Sequence, residues 1–156
     1  MKDIGRLKAS LAALFAEQYF AVLATRLDDR IHTTLVAFAV ADDLKTLFVC
    51  TPRATRKYTN LKQNPSVSML VHNSSNQAMD IRRAMAVTIS GTAVEVPEQG
   101  LADARQVYLA KQPHMADFAE SPNTAIIEIT VNRYDVVAHF QDVTILEIQE
   151  NRIVTP

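Results

Sequence analysis

The chain has no tryptophan, only one cysteine and only three glycines among its 156 residues. The single cysteine, Cys50, excludes an intramolecular disulfide framework and suits a reducing compartment. Few glycines and 48% hydrophobic residues exclude a disordered or fibrous chain. A net charge of -1 lacks the basic excess typical of nucleic-acid binders. The apolar run at 11–15 is too short for a signal peptide or a membrane span. We therefore predict one cytoplasmic domain, residues 1–156, that binds neither nucleic acid nor membranes.

The histidines show no metal-ligand spacing. None of the four has another histidine at the H-x-x-x-H interval, and Cys50 has no second cysteine beside it. A zinc site needs three or four such ligands that converge on one ion. The sequence therefore predicts no metal site. These histidines are His32, His72, His114 and His139.

Hydrophobic periodicity predicts an α+β fold that is mainly antiparallel β. Apolar residues at helical spacing indicate a first helix that ends near Gln18. Alternating patterns predict strands at 20–25, 31–40, 45–51, 66–72, 85–96, 125–140 and 144–148, with a bulge at Gly91. Further helices are expected at 55–63 and 98–110, with another after Pro113 that reaches about residue 120. Antiparallel strands with helices between them favour a closed or partly closed β-barrel, because closure removes exposed sheet edges.

The most informative segment, residues 50–71, lies between two of these strands. Pro52 should end the first strand, and Thr55 has the residue type of a helix N-cap. The free N–H groups and the positive dipole end of a helix N-terminus favour an anion, whose charge would compensate Arg56 and Lys57 in the first turn. The segment therefore predicts a phosphate site. The alternative is that its basic residues Arg53, Arg56, Lys57 and Lys62 form a solvated cationic face.

The pattern of Thr51, Thr55-Arg56-Lys57, Asn64-Pro65 and Val67-Ser68 resembles the pyridoxamine 5′-phosphate oxidase-like flavin-binding split barrels. That family has a similar S-R-K segment, a short helix that ends in N-P, and a following strand that opens V-S. The resemblance extends upstream over the hairpin at 24–40, where Arg30-Ile31-His32 replaces the usual G-x-P. It implies a six-stranded split β-barrel with flanking helices. It also implies a homodimer with flavin mononucleotide (FMN) at the subunit interface, held by both chains.

The resemblance also implies which residues contact the cofactor. The backbone of Leu35, Val36, Ala37 and Phe38 would run along the isoalloxazine ring, and Cys50, Thr51, Thr55, Arg56 and Lys57 would lie at the phosphate end. A flavin phosphate is a dianion that needs Arg and Lys donors, and its ring needs an apolar slot with backbone hydrogen bonds. Since the cofactor supplies the redox chemistry, no catalytic triad is required and no catalytic residue is assigned.

Departures from the family pattern bear on function. The oxidase itself has an arginine and a lysine where this chain has Leu35 and Val40. It also has a tryptophan and a substrate-gripping Arg-x-His group where this chain has V-V-A-H-F at 136–140. Oxidation of vitamin B6 is therefore not predicted. The expected function is an FMN-dependent oxidoreductase that acts on another small molecule, and the alternative is a non-catalytic flavin or haem carrier.

Two further alternatives concern the ligand. Loss of the two cations leaves room for deazaflavin or haem in place of FMN, and His139 would be the haem ligand by analogy with relatives of this fold. The polar residues Gln77, Asp80, Arg82 and Arg83 precede the fifth strand, where the family often contacts the flavin of the partner subunit. The other interpretation of this stretch is a mobile polar loop.

Overall fold

The computed structural model describes residues 3–156. In this range the chain forms five α-helices and eight β-strands. The helices are α1 (Ile4–Glu17), α2 (Arg56–Gln63), α3 (Asp80–Arg83), α4 (Leu101–Lys111) and α5 (Ala116–Glu120). The strands are β1 (Phe20–Leu27), β2 (Arg30–Val40), β3 (Thr46–Pro52), β4 (Ser66–His72), β5 (Ala86–Glu95), β6 (Thr124–Ala138), β7 (Asp142–Glu147) and β8 (Arg152–Val154). Short 3₁₀ turns at Glu98–Gly100 and Pro113–Met115 lead into α4 and α5.

The first six strands close into an antiparallel barrel in the order β3-β2-β1-β4-β5-β6, and β6 pairs back onto β3. That closing ladder runs from Thr46↔Thr130 to Pro52↔Thr124. The long β6 continues past the barrel, where β7 and β8 extend its second half. The structure therefore confirms the predicted α+β class and the six-stranded barrel with flanking helices.

The helices cover three parts of the barrel. Helix α1 closes one end, and the ring of its Phe15 lies 6.1 Å from the ring of Phe38 and 5.7 Å from that of Tyr134. Helix α2 lies at the other end, where its Leu61 joins the same core. Helices α4 and α5 pack on the outside of β2, β3 and β6 over a second, smaller core that contains Tyr108. Both cores are built from buried apolar side chains that supply most of the folding free energy.

The irregular pairing predicted at Gly91 is present, but the extra residue is Asn132 of β6, which lies between the partners of Ser90 and Gly91. The register between β5 and β6 shifts between Ser90 and Gly91. A Cβ atom at Gly91 would lie 2.6 Å from the carbonyl oxygen of Thr130 and 2.7 Å from Cγ2 of Ile129. Because no side chain fits that gap, glycine is required here for close approach of the two strands.

Two elements differ from the sequence prediction. The polar stretch after β4 contains α3, which the sequence analysis missed, and Asp80 organises its entry by accepting hydrogen bonds from the N–H groups of Ser75 and Gln77, at 2.8 and 2.9 Å. Strand β8, also not predicted, has only three residues and pairs with β7. One turn of helix and three residues of strand are too short to show a period in the sequence.

Candidate functional site

A seam opens in the barrel between β2 and β3. Across the described chain these strands pair only from Phe38↔Val49 to Val40↔Leu47, although β2 extends back to Arg30 and β3 on to Pro52. The opposite edge of β2 is paired with β1 along the whole of β1. The seam therefore has the edge of β2 at residues 35–37 on one side and that of β3 at residues 50–52 on the other.

The backbone of Leu35 is directed into this seam. The N–H of Phe38 donates to the carbonyl of Tyr19 at 3.4 Å, on the β1 side of the strand. Hydrogen-bonding groups of successive strand residues point alternately to the two sides, so those of Leu35, three positions away, point towards β3. A free strand edge of this kind can hydrogen-bond a planar heterocycle.

The N-terminus of α2 is fixed at the end of the seam by two threonines. The hydroxyl oxygens of Thr51 and Thr55 lie 2.8 Å apart, and the Thr55 hydroxyl donates to the carbonyl of Pro52 at 2.9 Å. Thr55 also caps the helix by accepting from the N–H of Tyr58 at 3.4 Å. Thr51 is buried, so its hydroxyl supports Thr55 from beneath the turn. The predicted N-cap is therefore observed.

Arg56 and Lys57 lie in the first turn of this helix, and neither has an ion-pair partner or side-chain hydrogen bond within residues 3–156. Arg56 is exposed, whereas Lys57 is half-buried. Burial lowers the pKa of the Lys57 ammonium. Since a nearby anion would favour the charged form of the Lys57 side chain and attract the Arg56 guanidinium, this helix end has the chemistry of an anion site.

The other two cations of the segment are engaged by Glu95. Arg53 donates to one carboxylate oxygen of Glu95 at 2.6 and 3.0 Å and also to the carbonyl of Pro122 at 2.8 Å. The hydroxyl of Tyr58 donates to the other oxygen at 2.7 Å, and Lys62 lies 3.7 Å from it. The segment is therefore neither a uniform phosphate site nor a uniform solvated face, because only Arg56 and Lys57 remain for a ligand.

These contacts shift two pKa values in opposite directions. The hydrogen bonds to Glu95 raise the pKa of the Arg53 guanidinium. Burial of the Glu95 carboxyl opposes its ionisation, but the hydrogen bonds from Tyr58 and Arg53 outweigh that effect and the pKa of Glu95 is lowered. Glu95 is thus a carboxylate at neutral pH, and it holds α2 to the end of β5.

Cys50 contributes to the seam only through its backbone. Its side chain belongs to the small core beneath α4, beside Tyr108. Burial raises the pKa of the thiol to about 12, and a hydrogen bond with Tyr108 and the charge of Arg105 offset this only in part. A thiol with that pKa carries almost no thiolate at neutral pH, so it is not a nucleophile.

Two polar residues that the sequence analysis missed, Gln112 and Lys111, donate hydrogen bonds to backbone carbonyls of β2 and of the segment between α1 and β1. The fully buried amide of Gln112 donates to the carbonyls of Tyr19 and Phe38, at 2.9 and 3.0 Å. Lys111 donates to the carbonyls of Phe15 and Gln18 at the end of α1, and its ammonium lies 5.0 Å from the centre of the Phe38 ring. Their partners lie more than seventy residues away in the chain, so no local pattern in the sequence could reveal them.

The outer face of β1, β2 and β4 carries an apolar row. The register places Leu35 opposite Val22 and Val22 opposite Leu70, and Phe20 lies on the same face. Leu35 is 65% exposed and Phe20 is 55% exposed. Contiguous exposed apolar side chains on a sheet face are typical of an interaction surface.

A separate groove of about 690 Å³ lies at the barrel end opposite α2, between α1, the segment that joins β4 to β5, and the strands β6 and β7. Its floor is apolar, and Arg6, Arg83 and His139 are among its lining residues. His139 and Phe140 form the β6–β7 turn with positive φ angles of 47° and 71°. No three His, Cys, Asp or Glu side chains among the described residues converge as the ligands of a metal ion would.

The donor set in the seam fits a flavin phosphate. It combines a helix N-terminus, a capping hydroxyl and two cations that have no carboxylate partner in the part of the chain that the structure describes, next to a free strand edge. A family profile described as pyridoxamine 5′-phosphate oxidase matches residues 7–138, which is most of the chain. The chain therefore belongs to the pyridoxamine 5′-phosphate oxidase family. The family suggested by the S-R-K-like segment and the N-P helix end is thereby confirmed.

The chain superposes on several solved structures, and the names of two of these proteins mention a ligand. A haem-binding protein from Mycobacterium smegmatis superposes with a TM-score of 0.80 at 16% identity, over 96% of this chain and 60% of that one. General Stress Protein 26 from Bacillus anthracis superposes with a TM-score of 0.67 at 18% sequence identity, over 97% of this chain and 99% of that one. An FAD-binding protein from Mesorhizobium loti superposes with a TM-score of 0.66 at 17% sequence identity, over 82% of this chain and 90% of that one. At sequence identities this low, the superpositions show that the fold is shared and carry no information about activity.

A comparison with curated proteins finds no match. Among the described helices, none has the length and apolar character needed to cross a bilayer.

Proposed function

We propose that the protein binds FMN in the seam between β2 and β3. The observation that carries the proposal is the pair of cations Arg56 and Lys57 at the N-terminus of α2, which have no carboxylate partner among residues 3–156. An FMN phosphate is a dianion, so two cations and the first-turn N–H groups would neutralise and bind it. Membership of the family and the FAD-binding neighbour support a flavin as the ligand.

Different residues along the seam would bind the phosphate and the ring of the cofactor. Arg56 and Lys57 would hold the phosphate, and Thr55, supported by Thr51, would fix the helix end that carries them. The edge of β2 at Leu35, Val36, Ala37 and Phe38, with the backbone of Cys50 opposite, would orient the ring. Because the side chains of Leu35 and Val40 carry no charge, anchoring of the phosphate is concentrated at α2.

When bound, FMN would supply hydride or electron transfer, and we propose that the protein is an oxidoreductase with a small-molecule donor and acceptor. No acid or base in the seam is assigned a catalytic role. A carrier of flavin, or of deazaflavin, is the alternative. NAD(P)H-dependent bleaching of the bound flavin, followed by reoxidation by an acceptor, would identify the enzyme, whereas a carrier would bind flavin without turnover.

We also propose a cytoplasmic location, since a single cysteine suits a reducing compartment.

We further propose that the protein is a homodimer with the cofactor at the subunit interface. The apolar row of Phe20, Val22, Leu35 and Leu70 supports this, because it flanks the seam on the outside of β1, β2 and β4. Burial of such side chains against a second copy would stabilise the pair by roughly 25 cal/mol per Å² of apolar area. The variant Leu35→Glu places a charge within this apolar row, and we expect it to be a monomer in analytical ultracentrifugation.

The test of the FMN site is retention of the cofactor after gel filtration. We expect the wild-type protein with added FMN to elute with flavin absorption, and the double variant Arg56→Ala and Lys57→Ala to elute without it while the oligomeric state is unchanged. The matched control is Lys8→Ala with Lys45→Ala, which removes two charges far from the seam. Unchanged retention in the Arg56 and Lys57 variant would refute the phosphate assignment.

Haem is the second candidate ligand, and it is supported by the haem-binding neighbour and by the place of His139 in the groove opposite α2. An imidazole in an accessible groove can ligate iron. Titration with haem should then give a Soret band that shifts in His139→Ala and not in His114→Ala, which removes an exposed histidine elsewhere. Identical spectra of the two variants would exclude His139 as the ligand.

A further inference from the structure

The groove opposite α2 has an apolar floor between two cationic walls. Leu7, Met85 and Val136 form the floor and are continuous with the barrel core. Arg6 comes from α1 on one side, and Arg83 comes from the end of α3 on the other. Within residues 3–156 neither arginine has an ion-pair partner, and both are exposed.

The acidic residues of the groove are already engaged. Asp3 caps α1 by accepting from the N–H groups of Gly5 and Arg6, at 2.7 and 3.2 Å. Asp142 also has a bonding partner. The groove therefore presents two guanidinium groups that form no direct ion pair among the described residues, although the carboxylates of Asp3 and Asp142 also line it, next to a surface that favours hydrocarbon.

The wall that carries Arg83 is held in place. Asn73 and Met85, at the base of the loop, are joined by two hydrogen bonds, from the N–H of Met85 to the side-chain oxygen of Asn73 at 2.7 Å and from the N–H of Asn73 to the carbonyl of Met85 at 3.2 Å. Asp80 fixes the turn that leads into α3. The loop is thus closed on itself, so Arg83 is presented at the groove without further folding of the chain.

The turn between β6 and β7 forms part of the rim of the groove. His139 and Phe140 have positive φ angles, as central residues of tight hairpin turns often do. The turn places His139 on the lining of the groove. The imidazole of His139 is therefore a further hydrogen-bonding group on the lining of the groove.

We propose that this groove is a second binding site, distinct from the flavin seam, for a carboxylic acid with an apolar body. Arg6 and Arg83 bind the carboxylate, and the hydrocarbon lies on Leu7, Met85 and Val136. Arginine binds carboxylates through two parallel hydrogen bonds, and a groove of about 690 Å³ is in the usual size range of small-molecule sites. The site does not depend on FMN, because it lies at the other end of the barrel.

Calorimetric titration of the whole protein with decanoate, below its micelle concentration and at low salt, tests the proposal. We expect saturable binding of decanoate and none of decylamine. The double variant Arg6→Ala and Arg83→Ala should bind decanoate at least tenfold more weakly. The control Arg26→Ala with Arg30→Ala, which removes two exposed arginines outside the groove, should bind decanoate as the wild type does.

Several results would overturn the assignment. Absence of decanoate binding, equal binding of decanol, or equal weakening by the control variant would each do so. Binding of haem without binding of decanoate would assign the groove to a porphyrin instead. The conservative pair Arg6→Lys and Arg83→Lys keeps the charge and loses the paired hydrogen bonds, so its affinity should fall between the wild type and the alanine variant. A melting curve like that of the wild type confirms that each variant is folded.

Discussion

The amide nitrogen of Gln112 lies 3.0 Å from the carbonyl oxygen of Phe38 and donates a hydrogen bond to it. Gln112 follows the last residue of α4, and Phe38 is the residue of β2 at which pairing with β3 begins. This one bond therefore ties the helix on the outside of the barrel to the strand at the start of the seam. The position of the predicted flavin strand therefore depends in part on a residue at the end of α4.

Replacement of this amide should destabilise the protein. Gln112→Leu leaves the carbonyl of Phe38 without its donor inside the core, and an unsatisfied buried polar group costs about 1–3 kcal/mol. We expect the free energy of unfolding, measured in urea, to fall by that amount. Gln106→Leu changes an exposed glutamine of the same helix and should have little effect. Equal midpoints for the two variants would show that the Gln112 bond contributes nothing.

Cys50 should be inert towards thiol reagents in the folded protein. Burial raises the pKa of its thiol to about 12, so at pH 8 the reactive thiolate is almost absent and the sulfur is also shielded by α4. We expect no labelling by a chromogenic disulfide reagent under native conditions and one equivalent after denaturation. Rapid labelling of the native protein at pH 8 would contradict the buried position of the side chain.

Glycine at position 91 should be indispensable for the junction of β5 and β6. In Gly91→Ala the new methyl group meets the carbonyl oxygen of Thr130 at 2.6 Å, and neither backbone can yield without breaking the ladder. Overpacking of this kind costs about 1–3 kcal/mol, which should lower the melting temperature by several degrees. In the control Gly100→Ala the nearest contact is the side chain of Val96 at 3.2 Å, which can adjust.

The sequence was sufficient for features that repeat along the chain or act between near neighbours. Alternating strands, the irregular pairing at Gly91 and the N-cap at Thr55 were all predicted, because periodicity and capping depend on residues within a few positions. The barrel strands and the family also followed from such patterns. Strand β8 and helix α3 were missed because both are shorter than one clear period.

The interactions that decide which cations are available could not be predicted in this way. Arg53 and Glu95 are 42 residues apart, and only the closed barrel brings the end of β3 next to the end of β5. The seam has the same origin, since the sequence of β2 and β3 does not show where their pairing stops. Whether the predicted residues from Leu35 to Lys57 bind FMN stays a prediction for the retention experiment.

The contribution of Glu95 to stability should depend on pH. Its pKa is lowered in the folded protein from the usual 4.5, because hydrogen bonds from Tyr58 and Arg53 outweigh the burial of the carboxyl. The folded state therefore binds fewer protons than the unfolded state just below pH 4.5, and stability falls as the pH drops through this window. The melting temperature of Glu95→Gln should be lower than that of the wild type at pH 7, and the difference should shrink at pH 3. The exposed neighbour Glu98→Gln is the control, and a difference that is independent of pH would show that the charge of Glu95 does not hold α2 to β5.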